Sequence, residues 1–244
     1  MRMSGRNISL LLIATIVSLA VFAFGTELSA GDSSANAKVP FKAAKLIIEF
    51  NASAEDIGVQ MFLDADPWKT INIIAPNGKL IFEVDGRTTV RKLGMTELFF
   101  ESHEPSINDL SVPEFLALFP EGDYKFIGRN TEGDTLVGTI PFSHRFPDGP
   151  TIIGPKKKGR QDPQNTVIRW DPVVTPAGIQ IVQYQVIVEG GEPLRHYDVF
   201  VPASVTSLTV SPEFLEPRTN YIFEVLAIEA NGNQTITEGE FKTQ

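Results

Sequence analysis

From residue 44 onward the chain alternates short apolar runs with turn residues, and the period along those runs is two. Ala44 to Phe50, Val59 to Leu63, Thr70 to Ile74 and Lys79 to Val84 are rich in Ile, Val, Leu and Phe and predict four strands. Pro76-Asn77-Gly78 joins the last two as a hairpin turn, and Leu98 to Glu101 predicts a fifth strand. One segment departs from the pattern. In Ser111 to Pro120 a Ser can cap, Pro113 suits an early helical position and Pro120 stops the run, which predicts one short helix. Gly122 to Arg129 and Thr135 to Ser143 then flank Asn130 to Asp134 as a hairpin. On its first arm Tyr124, Phe126 and Gly128 share one face, and Lys125, Ile127 and Arg129 the other.

Pro147-Asp148-Gly149-Pro150 is turn chemistry and marks a boundary near residue 148. Beyond it, Thr166, Ile168 and Trp170 alternate with Val167 and Arg169, which places Trp170 on a buried strand face. Ile181 to Glu189 sets Tyr184, Val186 and Val188 on one face, and strands follow at Tyr197 to Val201 and Ser207 to Val210. Leu215-Glu216-Pro217-Arg218-Thr219-Asn220-Tyr221 has the pattern of a tyrosine corner, a bent connection whose Tyr bonds back to it through the hydroxyl. Tyr221, Phe223, Val225 and Ala227 continue inward, and Asn231-Gly232 turns the chain into a last strand, Thr235 to Phe241.

Trp170, Tyr184, Leu215-x-Pro217-x-Thr219-x-Tyr221 and the Tyr-x-Phe-x-Val-x-Ala strand together resemble a fibronectin type III domain from about residue 151 to residue 244, within an expected domain of residues 149–244. The resemblance makes Trp170, Tyr184, Leu215, Pro217, Thr219 and Tyr221 core markers. Integrin-binding members of that family carry Arg-Gly-Asp between their last two strands; here that loop is Ala230-Asn231-Gly232-Asn233, which does not support such adhesion. Residues 38–148, through the Phe119-Pro120-Glu121-Gly122-Asp123-Tyr124 entry and its hairpin, resemble the immunoglobulin-like modules found ahead of fibronectin type III domains in exported bacterial proteins. The expected fold is all-β: two tandem β-sandwiches, immunoglobulin-like with one short helix and then fibronectin type III, after a signal peptide.

That leader is residues 1–37: Arg2 and Arg6, an apolar run from Ile8 to Phe24, then small polar residues with cleavage sites ending at Ala30 or Ala37. The competing reading is an uncleaved membrane anchor, because the run is close to the minimum of about 17 residues that spans a bilayer. Either way the folded part is exported, secreted or periplasmic. The chain of 244 residues has no cysteine, which excludes disulfides, thiolate metal sites and a Cys nucleophile, and fits a bacterial envelope or extracellular space. Its net charge is −9, and cleavage would make it more negative by one. Nucleic acid is therefore not an expected partner, since that binding rests on Lys and Arg neutralising phosphates.

Candidate chemistry is sparse. The three histidines fall in no metalloprotease or hydrolase motif, and no phosphate-binding or dinucleotide-binding glycine pattern is present. Glu101 and His103 share a strand face with Glu104 beside them, but two placed ligands do not make a metal site, so a polar strand end is the reading. Asp64 and Asp66, on a turn before Pro67-Trp68, are weak calcium candidates, without the third acid and the Gly of a calcium loop. Trp68 is a contact candidate if exposed; the competing reading folds it over its own core. The basic run Lys156, Lys157, Lys158 and Arg160 is a surface-contact candidate toward anionic envelope polymers or lipid headgroups, against a default of a solvated loop. The expected function is non-catalytic binding or scaffolding, with no cofactor and with a protein or envelope polymer as partner; membrane contact would come only through an uncleaved N-terminus. The alternatives are a carbohydrate-binding accessory protein, which needs exposed aromatics, and a hydrolase with an unrecognised site on the first domain.

Overall fold

The computed structural model describes residues 37–156 and 159–244, and the leader other than Ala37 lies outside them. The first half contains β1 (Lys38–Pro40), β2 (Ala43–Asn51), β3 (Asp56–Ile74), β4 (Leu80–Asp85), α1 (Thr88–Leu93), β5 (Met95–Glu101), α2 (Val112–Leu118), β6 (Gly122–Asn130) and β7 (Thr135–Phe142). The strand β3 is the hinge of this layer structure. Its first part pairs with β2 and β5, its second part with β4 and β6, so one strand serves both sheets. The remainder follows as β6–β7 antiparallel and β1 parallel to β7.

The turn expected between residues 63 and 70 is thus strand. Ala65 and Trp68 point into the core at 0% exposure, and that burial holds the chain extended through Asp64, Asp66 and Pro67. Pro67, which has no N–H to give a ladder, falls where the pairing with β5 shifts register between Asp64 and Trp68. Two further elements escape the period-two reading. The parallel strand β1 is three residues long, and α1 is a single short helix without buried residues, closed by Gly94 at φ 81°. The expected helix is α2, with Ser111 and Glu114 forming a reciprocal capping box.

The second half contains β8 (Ile152–Gly154), β9 (Gly159–Gln161), β10 (Val167–Trp170), β11 (Ile181–Gly190), β12 (Arg195–Pro202), β13 (Ser207–Thr209), β14 (Asn220–Glu229) and β15 (Gln234–Thr243). A three-stranded sheet, β13-β10-β8, faces the four-stranded run β12-β11-β14-β15, the two-sheet sandwich the fibronectin type III resemblance implies. Ile168, Trp170, Tyr184, Val186, Tyr221, Phe223, Val225 and Phe241 fill the space between. Trp170 and Tyr184 meet edge to face at 5.4 Å, and the Tyr184 hydroxyl accepts from the Val173 N–H at 2.8 Å. Gly239 gives the Phe223 ring its seat: a Cβ there would lie 2.2 Å from that ring.

The corner itself closes as the sequence indicates. The Glu216 N–H donates to the Tyr221 hydroxyl at 2.7 Å. The first half has a corner of its own, where the Tyr124 hydroxyl donates to the Pro120 carbonyl at 3.0 Å as the chain leaves α2 for β6. Each half has its own core, and each core holds one tryptophan, Trp68 in the first and Trp170 in the second. Removing either hydroxyl leaves a backbone partner unpaired at a nearly dry corner, at a cost of about 1 kcal/mol. Tyr221→Phe and Tyr124→Phe should each lower stability by about that amount in urea unfolding followed by tryptophan emission, with the slope on denaturant unchanged.

Candidate functional site

The two sandwiches meet strand to strand. Gln234, Thr235 and Ile236 of β15 pair in parallel with Glu49, Phe50 and Asn51 of β2, and the Ala52 N–H extends the ladder to the Ile236 carbonyl at 2.9 Å. The loop before β15 secures this pairing. Gly232 at φ 93° lets the chain double back, which brings the Asn233 side chain into the seam at 1% exposure. Its carboxamide oxygen accepts from the Ile48 N–H at 2.8 Å, and its NH2 donates to the carbonyls of Ser143 (2.8 Å) and Arg145 (2.7 Å). The Asn231 NH2 adds a second bond to the Arg145 carbonyl, and the Thr235 hydroxyl donates to the Pro147 carbonyl. The loop between the last two strands, Ala230 to Asn233, is therefore spent on holding the first sandwich.

Across the seam the outer sheet face carries acids. Glu49 on β2 is buried, and both its oxygens are held: Gln60 of β3 donates to Oε1 at 2.8 Å and Gln234 of β15 donates to Oε2. The same Gln60 nitrogen donates to Glu101 of β5 at 2.9 Å. Glu104 folds over Gly58, where even a methyl group would come within 2.7 Å of its Cγ. Glu49, Glu101 and Glu104 place carboxylate oxygens within 4.8 Å of one another, the one such group among the described residues. From the second sandwich Glu224 on β14 faces them, with Glu238 beside it on β15 at the register Glu224↔Glu238.

Burial, reinforced by neighbouring acids, raises the carboxyls of Glu49, Glu104 and Glu224. Glu49 is pushed up to about 8 by desolvation, against which the Gln234 bond acts; Glu104, Glu101 and Glu224 add to the rise. Glu104 reaches about 7 through desolvation, then Glu101, Asp56 and Glu224. Glu224 also reaches about 7 through desolvation, then Glu238 and Glu189. A hard cation would want these oxygens for itself. Here the Gln60 amide already sits between Glu49 and Glu101 as donor, so the arrangement suits shared protons and not a ligand cage.

No family model and no curated protein matches the chain. Solved structures do. The two-domain fibronectin type III segment of chicken tenascin is similar at 12% identity and a TM-score of 0.31, over 83% of this chain and 99% of that one. The fibronectin type III domain of human collagen XX, residues of a single module, is similar at 16% identity and a TM-score of 0.29, over 40% of this chain and 90% of that one. Both neighbours are described as fibronectin type III domains.

The sequence candidates scatter. Asp64 and Asp66 lie in the body of β3, not on a turn; Asp66 is exposed and pairs with Lys42 at 2.8 Å, and they take no part in the carboxylate group. Trp68 is at 0% exposure, so it is core and not a contact residue; the exposed aromatics are Phe99 and Phe200 among the described large hydrophobics. Lys156 and Arg160 are exposed, at a turn closed by Gly159 N–H to Lys156 carbonyl and beside β15, where Arg160 pairs with Lys242; Lys157 and Lys158 lie outside the described residues. Glu101 and Glu104 do converge, but His103 does not join them, because β5 ends at Glu101 and Ser102 turns the chain, its hydroxyl accepting from the Val59 N–H at 3.0 Å. The third member is Glu49. Its signal in the sequence is an acid lodged in the apolar run Leu46-Ile47-Ile48-Glu49-Phe50. Asn233→Ala removes three bonds and strands the Ile48 N–H in the seam, so a loss of about 2–4 kcal/mol is expected by chemical unfolding, with faster proteolysis of the 143–150 connection than in the parent.

Proposed function

We propose that the chain is an exported, non-catalytic binding or scaffolding protein that presents its two sandwiches as one rigid surface. The supporting observation is the β2–β15 ladder. It carries the strand order β5-β3-β2-β15-β14-β11-β12 through both halves, so side chains on the outer face hold one lattice across seven strands, about 30 Å wide. A surface of that width is enough for a standard protein contact. Flexible tandem modules recruit by reach; a fused pair recruits by shape, because nothing need be ordered on binding.

Export is supported by the leader-like residues 1–37, and an immunoglobulin-like reading of the first sandwich by its Tyr124 corner and its α2 lead-in. The partner class that fits is a protein or polymer of the bacterial envelope or extracellular space. The full chain, tagged at its C-terminus, should retain a partner from an envelope or secreted fraction, and Asn233→Ala should retain it at least about tenfold less, the cost of roughly 1.4 kcal/mol per decade. Equal recovery by the two would defeat the rigid-surface reading. Absence of the chain from both fractions would defeat export.

A further inference from the structure

The sheet that runs through both sandwiches has an open end at β12. Among the described residues β12 pairs with β11 alone, from Gln183↔Pro202 to Gly190↔Arg195. Backbone groups of an antiparallel strand point alternately to its two sides, and the phase here is fixed twice. Pro202 has no N–H, and its carbonyl accepts from the Val205 N–H at 2.9 Å, so it does not bond to β11. On the far side of β11, the Ala230 N–H donates to the Gln180 carbonyl and the Glu229 N–H to that of Asn233, which turns the even-numbered residues of β14 toward β11. Their partners Gln183, Gln185, Ile187 and Glu189 therefore bond to β14, and Tyr184, Val186, Val188 and Gly190 bond to β12. The N–H and C=O groups of His196, Asp198 and Phe200 are thus the ones that line the open edge.

The side chains of that edge match themselves in reverse order. His196, Asp198 and Phe200 share the outer face, while Tyr197 and Val201 pack inward on the core. Leu194, just before the strand, and Phe200 are 59% and 39% exposed. A second copy laid antiparallel with its Asp198 opposite His196 gives an opposite-charge pair twice, sets Phe200 against Leu194 twice and puts Tyr197 on the twofold axis. Glu189 engages Nδ1 of His196 at 2.9 Å and Gln185 donates to Oδ1 of Asp198 at 2.9 Å, which leaves Nε2 and Oδ2 for the second copy. Other registers that keep outer face with outer face lose this match. An axis at Asp198 sets that acid against itself, an axis at His196 sets two imidazoles together, and an axis beyond Asp198 brings Pro202, which has no N–H, into the ladder.

The opposite end of the same sheet is built otherwise. On β5 Glu97, Phe99 and Glu101 share the outer face, and self-pairing about Phe99 would set Glu97 against Glu101. We propose that β12 is a self-association edge, at which two copies of the chain pair β12 to β12 antiparallel about a twofold axis at Tyr197, with His196 of each opposite Asp198 of the other. Each of these two pairs exchanges both of its N–H···O bonds. The contact closes after two copies, because a twofold axis leaves no second edge of this kind open. It stands apart from the partner surface proposed above and uses none of its seam residues.

Sedimentation velocity on the full-length protein should show a weight-average mass that rises from one chain toward two between about 1 µM and about 1 mM, the range of a small contact. Asp198→Lys, which sets a cation against His196 at both pairs, should raise the concentration of half-association at least about tenfold, with tryptophan emission unchanged. The chain has no cysteine. His196→Cys and Asp198→Cys, purified apart and mixed under oxidation, should therefore give a disulfide dimer with one chain of each, since residues opposite in a hydrogen-bonded pair stand about 5.5 Å apart at Cα, within disulfide reach. A parent that stays at one chain over the whole range overturns the proposal. Association that Asp198→Lys leaves at parental strength overturns it too, because contact through residues 1–37 or through any other surface is indifferent to that charge. A mixture that yields only disulfides between identical variants places the register elsewhere and also overturns it. If tryptophan emission reports that Asp198→Lys has misfolded, the cysteine mixture decides by itself.

Discussion

The contact on which the rest depends is the three-residue parallel ladder between β2 and β15, with the Asn233 carboxamide set into its start. An edge strand left open is a template for pairing with other chains. Here β15 is an outer strand of its sandwich, and its free edge is covered twice, by β2 at its beginning and by β9 at its end. The same ladder that stops the second sandwich from pairing with strangers fixes its position on the first. Asn233 makes this possible because one side chain offers an acceptor and two donors, enough to satisfy the Ile48 N–H and two carbonyls at once. Without it, the Ile48 N–H and the Ser143 carbonyl would lose their seam partner, and the Arg145 carbonyl would keep only the Asn231 bond.

How far the sequence spoke for the structure can be judged element by element. Strands whose two faces differ were readable: along β6, Tyr124, Phe126 and Gly128 are buried and Lys125 and Arg129 exposed, as period two requires. The tyrosine corner was readable because its bond is local, from residue 221 back to residue 216. What was not readable is what proline and distance conceal. Pro67 reads as a break, yet Ala65 and Trp68 bury deeply enough to keep β3 extended through it. The seam joins Ile48 to Asn233, separated by 185 residues, and no local pattern encodes such a pair. Asn231-Gly232 was legible as a turn, but not as a turn that docks.

The candidate site shows the same division. Glu101 and Glu104 drew attention because they are neighbours in sequence, whereas Glu49, Gln60, Gln234 and Glu224 come to them by sheet register. A lone acid in an apolar strand, as Glu49 is, carries a signal that sequence reading undervalues. Burying a carboxyl is costly unless it is hydrogen-bonded or neutral, and the strand would have formed as readily with an apolar residue there. Gly58 points the same way, since leaving out its side chain serves only to admit that of Glu104.

A sandwich of this kind does not specify a function, which resides in the surfaces it holds in place. Here the fold has spent one of its usual loops internally, and this shifts attention to the outer face. That face is organised around an energetic conflict: amide donors from Gln60 and Gln234 favour carboxylates at Glu49, while burial and the opposed acids resist them. Glu49 and Glu238 each accept an amide bond across the seam, from Gln234 and from Asn51, so these acids also tie the halves together. Any surface that runs across both halves therefore rests on a junction in which buried acids are held by amide donors from the opposite side.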